Sequence, residues 1–358
     1  MIFNAAVTTT TREFILKRVY DQVTTGTPGL MTFLQGTGKG ELGKNWTSGT
    51  SFQFPIKYQD TTNGGNMGIA DKLDTDRQNV RVRTNFNLKA ANKPVVVAIA
   101  ETTANMGDEQ IVDLLDTEFD SQAQSLMNLL AQNLYTGNGT DNEWDSLANA
   151  AADSTVFATY GDLSRSTYTA WNGYYLASTG ALTLAKMATA WDAVTIGVDT
   201  PNLALTTKAI WSTYESLLTP AVRANFNTSG YPKMNAWGGV PTNAGNGADQ
   251  GFVYLSFRGT GIAKDEQVPS GKFFITNSKG FGFVGFNYQD PNIMTANFKQ
   301  TSDAVPSGVP GNVKSTRGFQ FRKMMSPVDQ LVNIGYLIYA GNFIATEPRL
   351  QGQLNGTS

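Results

Sequence analysis

The chain has 358 residues, 41% of them hydrophobic and 16% charged, and contains neither His nor Cys. Without an imidazole or a thiol it can build no Ser-His-Asp triad, cysteine nucleophile, disulfide, thiolate zinc site or His-ligated haem. With 27 basic and 29 acidic side chains the formal net charge is -2, so no global field draws the chain to nucleic acid or anionic lipid.

The length allows roughly two domains at about 150 residues each, and the charged fraction lies below the roughly 25% usual for globular domains. A neutral surface rich in Asn, Thr and Gly suits a protein that buries much of its exterior against other copies. The opening MIFNAAVTTTTREF has no basic head followed by an apolar run, and no later stretch approaches about 20 apolar residues. The expectation is a soluble chain made inside the cell, with no membrane partner.

Phe14, Ile15, Arg18 and Val19 fall at short helical spacing before TTGTPGL breaks the pattern, which predicts a short helix on an arm. From Trp46 the period changes to two. Phe52, Phe54, Ile56 and Tyr58 share one side of a predicted strand, and a polar, Gly-rich tip, QDTTNGGNMG, follows. Val80, Val82, Thr84, Phe86 and Leu88 then alternate with Arg81, Arg83, Asn85 and Asn87, and PVVVAIA extends the run. Two long strands joined by a long polar loop predict a protruding β-arm.

The strongest helical signal runs from Gly107 to Tyr135. Val112, Leu115, Phe119, Gln122, Leu126 and Leu130 follow its helical stripe, Asp108 and Glu109 sit where the dipole favours acids, and Gly137 lies beyond its end. Such a helix is about 43 Å long, a beam. Farther on, LTLAKMATAWDAVT predicts an amphipathic helix, and NLALTT followed by KAIWSTYESLL predicts a strand leading into a helix. FVYLSF, KFFIT and FGFVGF read as strands. QLVNIGYLIYAGNFIAT carries apolar residues on both sides and so predicts a central strand. The fold class read from these elements is α+β.

No constellation for catalysis, cofactor or metal emerges. Glu109, Asp113, Asp116 and Asp120 share one helix face, but a carboxylate pair needs desolvation to act as acid and base, and a charge run on a helix usually faces water. Asp71, Asp74 and Asp76 lack the central Gly of a calcium loop. YTGNGT follows a helix and opens none, so it reads as a helix stop and not a phosphate cradle. The basic clusters are Arg12, Lys17 and Arg18 on the arm and Arg77, Arg81 and Arg83 on the β-arm. No base-reading module accompanies them, so these cations and the acidic helix face are candidate contacts between subunits.

The order of these parts, together with ATYGDLSRSTYTAWNGYY, TPNLALTTKAIWSTYESLLTP, FRGTGIAKDEQVPSGKFFITN and the ending with Asn342, Pro348 and Arg349, resembles the major capsid protein of tailed bacteriophages, the Hong Kong ninety-seven type fold. The resemblance implies an N-terminal arm over 1–41, an extended β-loop over 42–98, and a peripheral domain over 99–194 and 292–358 with spine helix 107–135. It also implies an axial domain over 195–291. By the same resemblance, copies form hexamers and pentamers that close into an icosahedral or prolate shell around phage double-stranded DNA, bound without sequence specificity. Portal, scaffolding and decoration proteins are the implied further partners, and the virion capsid, assembled in the host cytoplasm, is the implied location. Some members of that family join a loop Lys to an Asn with help from a Glu; Lys57, Lys72, Asn342 and Glu347 match no such motif here, and the linkage is not carried over. Two other readings stay open: an encapsulin-like compartment, and a secreted carbohydrate-binding or glycoside-cleaving β-protein.

Overall fold

A computed structural model describes residues 28–36, 45–46, 49–69, 72, 75–104, 114–177, 180–217, 233–235, 249–286, 288, 293–295, 319–327 and 330–357. The predicted arm helix with Phe14 and Val19 lies outside these residues.

In chain order, α1 (Pro28–Gly36) is followed by β1 (Asn45–Trp46), β2 (Ser51–Lys57), β3 (Arg81–Asn87) and β4 (Lys89–Ala98). Next come α2 (Ile99–Ala104), the long α3 (Leu114–Thr136) and α4 (Leu147–Ala150), then β5 (Thr159–Tyr160), β6 (Leu163–Ser164) and β7 (Tyr174–Leu176). Helix α5 (Leu184–Val194), β8 (Leu203–Thr206) and α6 (Lys208–Leu217) lead to β9 (Lys233–Asn235), β10 (Asp249–Phe257), β11 (Thr260–Lys264) and β12 (Lys272–Thr276). The chain closes with β13 (Phe281–Phe286), β14 (Ile293–Thr295), β15 (Phe319–Met325), β16 (Val332–Ala345) and β17 (Gly352–Asn355).

The 14-residue β16 organises the first sheet. It pairs antiparallel with β4 along Val332–Gly341, with β15 around Ile334–Tyr339, and with β13 along Gly341–Ala345. The central position expected from its two apolar sides is therefore found. One side, with Leu337 and Tyr339, shares a buried core with Leu126, Leu130 and Leu134 of α3. The other side, with Val332, Ile334, Tyr336 and Ile338, is only half-buried.

The second sheet has strand order β7-β17-β12-β8-β11-β10-β9. All four residues of β8 are buried because both faces are covered. Leu203 and Leu205 face the core shared with α3, while Ala204 faces a second core with Met187, Trp191 and Val194 of α5 and Ile210 and Tyr214 of α6. Strand β13 belongs to the first sheet, and β7 and β17 belong to the second.

One boundary differs from the periodicity. The extended run through PVVVAIA ends at Ala98, where the Glu101 carboxylate accepts from the Ala98 N–H (3.2 Å) and α2 begins. The long helix is described from Leu114 to Thr136, and residues 105–113 fall outside the described set. Thr136 is followed by Gly137, whose N–H donates to Asn133 O (3.3 Å), so the helix stops where YTGNGT predicts.

Candidate assembly surface

The β2–β3 hairpin has two unlike faces set by strict alternation. On one, Phe52 pairs with Phe86, Phe54 with Thr84 and Ile56 with Val82; on the other, Gln53 pairs with Asn85, Pro55 with Arg83 and Lys57 with Arg81. The first face seats the root of the hairpin. Phe86 meets Tyr160 edge-on at 5.1 Å and stacks on Phe54 at 6.0 Å, while Phe54 lies 6.3 Å from Trp171. The second face leaves Arg81 and Arg83 exposed, with Arg77 exposed just before them. Lys57 stands opposite Arg81, a like-charge pair that would repel, and Asp60 offsets it with a 2.6 Å ion pair to Lys57. That partner holds the Asp60 carboxyl below its ordinary range.

Beyond the last ladder pair, side chains continue the stem. Tyr58 OH donates to Asn79 O (2.7 Å), Thr62 N to Gln78 Oε1 (2.9 Å), and Asn63 Nδ2 to Asp76 O (2.7 Å). Past this polar ladder Met67 and Ile69 are exposed, Ile69 completely.

A buried polar cluster clamps the hairpin root. Asn342 Oδ1 accepts from the N–H of Asp145 (3.1 Å) and of Phe343 (2.9 Å), and its Nδ2 donates to Asp145 Oδ2 (2.6 Å) and Asn87 O (3.1 Å). The Lys89 ammonium donates to Asp141 O. Burial pushes the Asp145 carboxyl up to about 6, against the opposing hydrogen bond from Asn342 and the charge of Lys89. Nearby, the buried Arg165 stacks 5.0 Å from the Tyr160 ring and donates to Asn149 O at the end of α4 (2.6 Å); burial lowers it to about 10.

A second latch joins distant parts. Asp265 Oδ2 accepts from Gly29 N (3.1 Å) at the start of α1 and from Tyr135 OH (2.8 Å) near the end of α3, while Oδ1 accepts from Gln267 N (3.0 Å). Burial raises both the Asp265 carboxyl and the Tyr135 phenol. Neither clamp was visible in the sequence, where isolated Asp, Asn and Tyr residues carry no spacing signal.

Of the candidate contact residues, Arg77, Arg81 and Arg83 fall together on the hairpin. Asp120 is half-buried on α3, and Asp116 lies in the same helix. Arg12, Lys17, Arg18, Glu109 and Asp113 lie outside the described residues. Asn342 is buried and bonded at both amide atoms. Lys57 and Glu347 line one groove of about 410 Å³ with Phe54, Tyr58, Trp171 and Arg349. Among the described residues, no three acidic side chains converge as a metal site, and no helix is long and apolar enough to cross a membrane.

No protein-family model matches the chain, and no curated protein matches it in sequence. Solved structures do match over its length. The cyanophage A-1(L) capsid asymmetric unit aligns with a TM-score of 0.66 at 15% identity, covering 96% of this chain and 97% of that one. The chain has the phage major capsid fold. The capsid of a native GTA particle aligns over 100% of both chains with a TM-score of 0.58 at 9% identity. The holo-SrpI encapsulin of Synechococcus elongatus aligns over 100% of this chain and 96% of that one, with a TM-score of 0.52 at 14% identity. The α+β class read from the sequence is thus the class of the fold.

Proposed function

We propose that this chain is a structural, non-catalytic shell protein: a phage major capsid protein whose copies form hexamers and pentamers closing into an icosahedral or prolate container for double-stranded DNA. The observation that carries the reading is the end-to-end likeness to the cyanophage A-1(L) capsid subunit. The parts are proposed as an arm over 1–41, a β-loop over 42–98, a peripheral domain over 99–194 and 292–358, and an axial domain over 195–291. The hairpin cations Arg77, Arg81 and Arg83 would meet acidic faces of neighbouring copies, and Arg12, Lys17, Arg18, Glu109, Asp113, Asp116 and Asp120 are proposed as further contacts. The near-neutral chain suits a container that does not grip its DNA, since tight binding would need a basic excess. Portal, scaffolding and decoration proteins are the proposed partners, in a virion assembled in the host cytoplasm.

An encapsulin-like compartment is the second reading, favoured by the full-length likeness to the holo-SrpI encapsulin. The carbohydrate reading draws no support from a capsid fold.

Expression of the chain alone, followed by light scattering and negative-stain microscopy, tests the shell reading. Closed shells, tubes or rings of five or six support it. A monomer that persists beside its native partners overturns it. Nuclease-protected DNA inside native particles selects the virus reading, and protein cargo selects the compartment.

A further inference from the structure

The chain carries five Asn-Gly steps, at Asn63, Asn138, Asn172, Asn246 and Asn355. Such a step can rearrange without an enzyme: the Gly N attacks the Asn Cγ, ammonia leaves, and water reopens the cyclic imide, which is one reason Asn counts among the thermolabile residues. Gly favours the reaction because no Cβ obstructs the approach and its backbone reaches conformations closed to other residues. Four of the five steps lie among the described residues, and the fold treats them differently.

Three are locked. Gly173 N donates to Ala152 O (2.9 Å), a Cβ at Gly173 would stand 2.6 Å from Ala151 C, and Asn172 Oδ1 is buried. Gly139 N donates to Trp144 O (3.1 Å), while Asn138 Oδ1 accepts from Thr140 N (2.8 Å). Asn355 pairs with Lys272 in the second sheet, its Nδ2 donates to Tyr175 OH (2.9 Å), and Gly356 O accepts from Gly180 N (3.0 Å). Swinging the Gly N onto Cγ at any of these breaks bonds of a sheet or turn.

Asn63, beyond the β2–β3 ladder, is different. Gly64 and Gly65 are exposed, Gly64 has φ +87°, and a Cβ there would meet no atom within 4 Å. Among the described residues no acceptor holds the Gly64 N–H. The side-chain amide, by contrast, is oriented: Asn63 Nδ2 donates to Asp76 O (2.7 Å) and Oδ1 accepts from Gln78 Nε2. Gln78 is fixed in turn, its Oε1 accepting from Thr62 N (2.9 Å) and its Nε2 also donating to Thr62 Oγ1 (2.7 Å). A donor at Asn63 Oδ1 draws electrons from Cγ and stabilises the negative charge that gathers on that oxygen as a nitrogen adds.

We propose that Asn63 is a self-modification site, at which Gly64 N displaces the side-chain amide with help from Gln78 and leaves aspartate or isoaspartate. The Gly64 N–Cγ bond forms, the Cγ–Nδ2 bond breaks, the Gly64 proton departs with the ammonia, and water adds to one of the two imide carbonyls. The product cannot donate to Asp76 O and sets a carboxylate against that carbonyl. Isoaspartate also adds a methylene to the main chain, so the polar ladder of Thr62, Asn63 and Gln78 loses its register and the stem past Tyr58 opens in one direction only. This goes beyond the shell reading and does not depend on it.

The full chain, aged in mildly alkaline buffer made with heavy-oxygen water and followed by peptide mass spectrometry, tests the site. The expected result is label entering at Asn63 several-fold faster than at Asn138, Asn172 or Asn355 in the folded chain, with comparable rates at all four in urea. Comparable rates in the folded chain, or earlier reaction at another step, overturn the proposal. Gln78→Glu keeps the acceptor for Thr62 N but removes the donor to Asn63 Oδ1, so it should slow conversion. A role in holding the stem alone would make that variant react faster, and an unchanged or faster rate overturns the part given to Gln78. Asn63→Asp should exchange the Thr62 amide several-fold faster than the parent with α5 and α6 unchanged; unchanged exchange at Thr62 overturns the opening of the stem.

Discussion

Asp145 is a buried carboxylate at a junction between the hairpin root, the turn after α3 and the central strand. Its pKa is raised to about 6 mainly by burial, so the fold favours its protonated form. The stability this group contributes is therefore fully present below the unfolded-state value near 3.8 and is lost as pH rises through about 6. At about 1.4 kcal/mol for each pKa unit, the loss is on the order of 3 kcal/mol. Urea denaturation between pH 4 and 8 should show the parent chain losing stability relative to Asp145→Asn over that window. Parallel pH profiles for the two proteins would remove Asp145 as the responsible group.

At the scale of elements, the hairpin is positioned by its root. Gly161 has φ +56° and its carbonyl accepts from Asn85 N (3.0 Å). A Cβ there would stand 2.7 Å from the Phe86 ring, which is itself wedged against Tyr160. Gly161→Ala combines an unfavourable left-handed backbone with this overlap, at a cost of about 2 kcal/mol. The expected result is faster proteolytic cleavage and amide exchange in the β2–β3 hairpin, with α5 and α6 unchanged. Equal loosening of all elements would show that Gly161 serves the whole core and not the hairpin.

The hairpin cations are proposed to act at the scale of the assembled particle. Arg81 and Arg83 are exposed on the polar side of the hairpin, so Arg81→Glu with Arg83→Glu should leave the thermal midpoint of the isolated subunit nearly unchanged. The same pair should lower the yield of particles, and salt should weaken assembly of the parent because exposed charges are screened within about 8 Å at physiological ionic strength. Normal yield in light scattering would place these cations away from any contact between copies.

Local periodicity carries much of this architecture. Alternation at Phe52–Tyr58 and Val80–Leu88 set both hairpin strands and identified the side that would bear Arg81 and Arg83; the helical stripe through Leu126 and Leu130 set the buried face of α3. Both are short-range patterns, because burying one face of a strand or helix constrains every second or every third to fourth residue. Tertiary structure alone brought Asp145 to Asn342, 197 residues apart, and Gly29 to Asp265, 236 residues apart. It also divided most of the described strands between two large sheets and left one side of β16 only half-buried where the sequence showed apolar residues on both. Those outcomes depend on which elements meet, and sequence spacing records the face an element must cover but not the neighbour that covers it.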